Sequence, residues 1–193
     1  MTVLLDRRPI MVALAGPNGA GKSTFYRAHL ATSGLRFVNA DELALQLKLD
    51  AYRAAALADQ IRRELVVRGE SCIFETVFSD PVGDKVRFLQ EAARTGYTVA
   101  LFFIGIDSAG LSEERVAMRV LKGGHDVPSE KIAQRYARTL ENLRRALASL
   151  PHVRIYDNSD LRSPYRLVAD AEDGRLRTHS PVPGWLKPLL SER

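Results

Sequence analysis

Gly16-Pro-Asn-Gly-Ala-Gly-Lys-Ser-Thr24 decides how the rest of the chain is read. A glycine, four residues and then Gly-Lys-Ser/Thr is the pattern of a loop that wraps the phosphates of a nucleotide. Glycines let the backbone curl until successive N–H groups point inward at one anion, and the positive end of the following helix adds to the same field. On this reading Gly16, Pro17, Asn18, Gly19, Ala20, Gly21, Lys22, Ser23 and Thr24 form the nucleotide cradle. Lys22 reaches the β- and γ-phosphates, and the Ser23 hydroxyl holds Mg²⁺. The flanks agree, because Ile10–Ala15 is a continuous apolar run of strand length and Lys22–Thr32 has helical character up to Gly34.

Outward from the loop, apolar runs alternate with helical patterns. Strands are expected at Ile10–Ala15, Arg36–Asn39, Ser71–Glu75, Tyr97–Ile106 and Val153–Tyr156. A helix over Ala51–Arg68 stops at Gly69; another starts at Ser79 or Asp80 with Pro81 in its first turn and stops at Gly96. Such alternation predicts an α/β fold, a P-loop kinase-like parallel sheet of about five strands with helices on both faces. Helices over Ser112–Leu121 and Ser129–Leu150, joined by the Gly-rich segment Lys122–Pro128, make a helical lid insertion at about 112–140. The Pro-rich tail, about 160–193, reads as a small hairpin at Asp173–Gly174 and an irregular strap. One domain of 193 residues is expected, with no repeat.

The composition narrows the function classes. A net charge of +5 favours anionic partners, yet the arginines are scattered and not interleaved with aromatics, which argues against a dedicated nucleic-acid face. One cysteine, Cys72, allows no internal disulfide and suits a reducing cytoplasm. No apolar run approaches the roughly 18 residues of a membrane span. A motor or transporter ATPase would end a strand in Asp-Glu, which neither the third strand (Cys72-Ile-Phe-Glu75) nor the fourth (Phe102-Phe-Ile-Gly-Ile-Asp107) supplies. A GTPase would carry Asn-Lys-x-Asp, which is not present. Leu121-Lys-Gly-Gly-His125 echoes a transporter signature segment but lacks its serine.

Two acids fall at strand ends, where open α/β sheets bind ligands. Asp41 follows the second strand and suits a carboxylate that takes the proton of an acceptor hydroxyl; it also suits the N-cap of a helix over Glu42–Leu49. Glu75 ends the third strand and is assigned, with Thr76, to gripping the acceptor. Arg115 and Arg119 share one helix face and Arg135 and Arg138 another, which is apt for neutralising charge on a transferring phosphoryl group. His125 and Asp126 read as turn formers or acceptor contacts. Asp157-Asn-Ser159 reads as a turn or an adenine neighbour.

In order, Gly16–Thr24, Phe37-Val-Asn-Ala-Asp-Glu42, Phe74-Glu-Thr76, Arg115–Pro128 with its Gly-Gly-His-Asp-Val-Pro128 core, and Arg135-Tyr-x-Arg138 resemble the zeta-toxin family of P-loop kinases, in particular its compact bacterial branch. The resemblance covers about residues 8–160. It implies a kinase using ATP or GTP with Mg²⁺ that phosphorylates a small-molecule hydroxyl, UDP-N-acetylglucosamine in the best-known members, with an antitoxin protein as a partner it admits. Carried over by motif, Lys22 is the phosphate-loop lysine, Asp41 the base and Glu75 the acid after the third strand. Arg138 together with Arg119 or Arg135 would be the lid arginines. The chain is shorter than the large toxins and has no identifiable sugar-nucleotide insertion. Two other readings stand beside the kinase: a nucleotide-dependent binding module with slow ATPase activity, and a nucleic-acid-end kinase.

Overall fold

A computed structural model describes residues 2–121 and 127–191. The elements are α1 (Thr2–Leu5), β1 (Ile10–Ala15), α2 (Lys22–Phe25), β2 (Arg36–Val38), α3 (Ala40–Leu47), α4 (Ala51–Val67), β3 (Cys72–Thr76), α5 (Asp84–Arg94), β4 (Thr98–Gly105), α6 (Ala109–Val120), α7 (Ser129–Leu147), β5 (His152–Asp157), β6 (Arg166–Glu172), β7 (Arg175–Thr178) and α8 (Lys187–Ser191). They build one sheet in the order β2-β3-β1-β4-β5-β6-β7. The first five strands of that order are mutually parallel, whereas β6 pairs antiparallel with β5 and β7 antiparallel with β6. The fold is thus the expected α/β class with seven strands in place of about five. The tail hairpin forms and continues the main sheet beyond β5, and irregular chain follows it over 179–186 before α8.

The apolar runs are explained by burial on both faces. All six residues of β1 are buried. Alternate residues go to opposite cores: Met11, Ala13 and Ala15 join the layer of α5 and α7, and Ile10, Val12 and Leu14 join Phe25, Leu30 and Tyr156. Cys72 sits within the first of these layers, and burial pushes its thiol up to about 11. Native protein at pH 8 is therefore expected to resist iodoacetamide, with labelling only after denaturation, as intact mass will show.

Several boundaries differ from expectation for local reasons. The helix after the phosphate loop passes from α2 into a π turn over Tyr26–Leu30 and a 3₁₀ turn over Ala31–Ser33. The π spacing brings Phe25 and Leu30, five apart and both buried, onto one core-facing side. Helix α5 starts at Asp84, after Gly83 at φ 77°, later than the Ser79 or Asp80 start expected. Asp80 accepts from the backbone N–H groups of Asp84 and Lys85, and the Asn142 amide pins the preceding loop through the carbonyls of Phe78 and Asp80.

The insertion is anchored in the fold through α7. Ile132, Thr139, Asn142, Leu143, Ala146 and Leu147 of α7 are buried, so its inner face belongs to the core. Of the expected hinge, Lys122–Pro128, residues 122–126, including Gly123, Gly124, His125 and Asp126, lie outside the described residues. Among the described residues no helix is long and apolar enough to cross a membrane.

Candidate active site

The phosphate loop follows β1, the strand flanked by β3 on one side and β4 on the other, at the carboxyl edge of the sheet. The strand order reverses here, which is where open α/β sheets form their ligand crevice. Gly16, Gly19 and Gly21 have φ of 146°, 72° and 89°. A Cβ on Gly16 would meet the Ile104 carbonyl oxygen at 2.1 Å, and one on Gly21 would meet Asn158 and Tyr165 at 2.8 Å. Glycine is required at these two positions.

The loop is braced from outside. Ser112 Oγ donates to the Asn18 carbonyl at 2.5 Å, Asn158 Nδ2 to the Ala20 carbonyl at 2.8 Å, and the Tyr165 hydroxyl to the Gly21 carbonyl at 3.0 Å. In a planar trans peptide the N–H points opposite to the C=O. Tying these carbonyls to the scaffold therefore turns the N–H groups of Gly19, Gly21 and Lys22 the other way, as an anion cradle needs. Asp157-Asn-Ser159 belongs to this brace: Asn158 reaches the loop, and Asp157 accepts from Trp185 Nε1 at 3.0 Å and from Ser159 Oγ at 2.6 Å.

Lys22 is buried and folds back across the loop, donating to the carbonyls of Gly16 and Pro17 at 3.0 and 3.1 Å. Burial lowers its pKa; Glu75 and Asp41 oppose that shift, and Arg119 adds to it. Glu75, 3.8 Å from the Lys22 amine, accepts from Ser23 Oγ at 2.8 Å and from Asn39 Nδ2 at 2.9 Å. A hydroxyl and a carboxylate side by side at the phosphates are the donors Mg²⁺ takes from a protein, the remaining ligands being phosphate oxygens and waters. The residues present fit that ion.

Asp41 is placed by a cap that is not its own. The Asn39 side chain accepts from the N–H groups of Asp41 and Glu42 at 2.8 and 3.3 Å, so Asn39 is the N-cap of α3. The Asp41 carboxylate thus lines a cavity of about 220 Å³ together with Asn18, Lys22, Glu75, Thr76 and Arg119. Thr76 also accepts from the Phe78 N–H at 3.1 Å.

Of the arginines expected at the phosphates, the cavity gathers Arg119 alone. Arg138 is exposed and Arg135 half-buried on α7, and neither lines it. Arg115 donates to the Ser159 carbonyl at 3.1 Å. Sequence reasoning left Asn39, Arg62 and Lys85 unassigned, yet all three line the cavity. The Ala-Asp-Glu run after Asn39 is a helix-start signal that would have identified Asn39 as a cap; Arg62 and Lys85 carry no such mark.

Comparison with known proteins adds the family. The AAA domain model matches residues 11–143, from β1 into α7, well over half of the chain. The chain belongs to the AAA domain family. Among curated proteins nothing matches this AAA domain chain. Solved structures similar to it include the AvrRxo1-ORF1:-ORF2 complex with ATP, at 18% identity and a TM-score of 0.69, covering 90% of this chain and 61% of that one. The PezAT chromosomal toxin–antitoxin system of Streptococcus pneumoniae follows at 20% identity and a TM-score of 0.61, covering 88% of this chain and 75% of that one. The chain thus spans about three fifths of the AvrRxo1 chain it matches. At these identities the likeness is one of fold alone.

Proposed function

We propose that the protein is a phosphotransferase that moves the γ-phosphate of ATP or GTP to a hydroxyl of a small molecule bound in the cavity beside Asp41. The observation that supports this most is the grouping of Lys22, Asp41 and Arg119 around one cavity at the phosphate loop. A hydrolase needs only water there, whereas a cavity walled by α3 and α4 leaves room for an organic acceptor.

In the reaction the acceptor oxygen bonds to the γ-phosphorus as the bond to the β-phosphate oxygen breaks, and the acceptor's proton passes to the Asp41 carboxylate. Lys22, released from the Gly16 and Pro17 carbonyls, pairs with β- and γ-phosphate oxygens. Arg119 offsets charge that develops on the transferring group. Glu75 and Ser23 would hold Mg²⁺, which supplies charge neutralisation to the triphosphate. This moves Glu75 from the acceptor to the nucleotide side of the site.

The resemblance to zeta toxins makes a UDP-N-acetylglucosamine-like sugar nucleotide the first acceptor to test, and an antitoxin protein and a cytoplasmic setting go with the same reading. Incubation with ATP, Mg²⁺ and a metabolite extract, followed by mass spectrometry, is expected to reveal a metabolite heavier by one phosphoryl group. Nucleotide hydrolysis with no phosphorylated product would sink the proposal and favour the nucleotide-dependent binding module.

A further inference from the structure

The wall that α4 and α5 give to the cavity holds more positive charge than its own carboxylate answers. Asp59 accepts from Arg62 Nη2 at 2.6 Å, Lys85 Nζ at 2.9 Å and Arg63 Nε at 3.0 Å. Burial works to raise its pKa, yet the hydrogen bonds from Lys85, Arg63 and Arg62 outweigh that and hold it well below the usual carboxylate range. Among the described residues, three cations share this one anion.

Arg63 is mostly exposed and needs no further partner, but Arg62 is different. Its side chain is 5% exposed. Its guanidinium lies over the Phe74 ring at 4.8 Å, and its buried Nε has no hydrogen-bond partner among the described residues. A buried charged group with a spare donor is costly unless something completes its pairing. A tie between α4 and α5 does not require it, because Asp59–Lys85 already joins the two helices. Arg62 and Lys85 open onto the same cavity as Asp41. The other carboxylate there, Glu75, is engaged by Ser23, Asn39 and Lys22.

We infer that Arg62 and Lys85 form an anion-binding subsite, so that the acceptor is a hydroxylated molecule carrying a carboxylate or phosphate. Guanidinium and ammonium donors on that wall receive the anion while the hydroxyl lies toward Asp41. The direction of the hydroxyl rests on the function proposed above; the subsite itself does not.

The test fills the phosphate loop with Mg²⁺ and a non-hydrolysable ATP analogue, so that added anions cannot compete for it. Matched probes are then titrated calorimetrically: gluconate against glucitol for the carboxylate, glucose 6-phosphate against glucose for the phosphate. At least one anionic probe is expected to bind at least about tenfold more tightly than its neutral twin. Lys85→Met, at a partly exposed position and checked for folding by circular dichroism, is expected to abolish that preference, as is Arg62→Leu. Equal affinity of the twins, no binding by either anion, or a preference that survives Lys85→Met overturns the inference. Repeating the titrated mixtures with ATP reads transfer separately. Anion-selective binding, with no phosphorylated product from these mixtures or from the metabolite extract, removes the kinase reading and leaves the subsite; transfer to neutral compounds with no anion preference does the reverse.

Discussion

Asp41→Asn is expected to lower phosphoryl transfer by about 10²–10⁴-fold while nucleotide affinity stays near that of the unaltered protein. Asparagine matches aspartate in shape, so the cavity keeps its volume, but it cannot take the acceptor's proton. The start of α3 does not depend on the Asp41 side chain, because Asn39 accepts from the N–H groups of Asp41 and Glu42. Folding should therefore survive, and a rate loss cannot be assigned to a lost cap. Initial rates together with a fluorescent-nucleotide titration check both halves. Full transfer activity in Asp41→Asn would mean that the proton leaves by another route.

Lys22→Ala is expected to fail in both measurements, with kcat down about 10²–10³-fold and nucleotide affinity weakened at least about tenfold. The amine now rests on the Gly16 and Pro17 carbonyls, 3.8 Å from Glu75. Alanine would leave those carbonyls without their donor and Glu75 without its neighbouring cation. Retained nucleotide affinity would mean that the backbone N–H groups carry the binding by themselves. The two variants make a pair, one separating transfer from binding and the other losing both.

How much of this was legible in the chain depends on whether the signal is local. Gly16–Thr24 was readable because its physics is contained in nine residues and needs only a strand before and a helix after. The buried strands were readable from continuous apolar character. β6 and β7 were not placed in the main sheet, because Arg166, Asp170, Glu172, Arg175 and Arg177 interrupt any apolar run. Only pairing with β5 explains why Val168, Ala169 and Ala171 are buried. Arg62 was invisible for a related reason. In an Ala- and Arg-rich helix, Asp59, Arg62 and Arg63 look like surface ion pairs at i,i+3 and i,i+4 spacing. Which side of α4 meets the cavity is decided by the Ala54 and Ala58 stripe that packs inward, a tertiary fact. Spacing likewise put Arg115 with Arg119, and Arg135 with Arg138, on shared faces without saying which face turns to the phosphates.

The brace on the phosphate loop bears on how far the chain can be shortened. The family match ends at residue 143, but Asn158 and Tyr165, which hold the loop's carbonyls, come from the segment after it. A protein trimmed to the matched segment would also lose β5, leaving β4 as a bare edge with Leu101, Phe102 and Phe103 no longer covered on that side. An unpaired apolar edge invites strands from other copies, so such a fragment should self-associate before it binds any nucleotide.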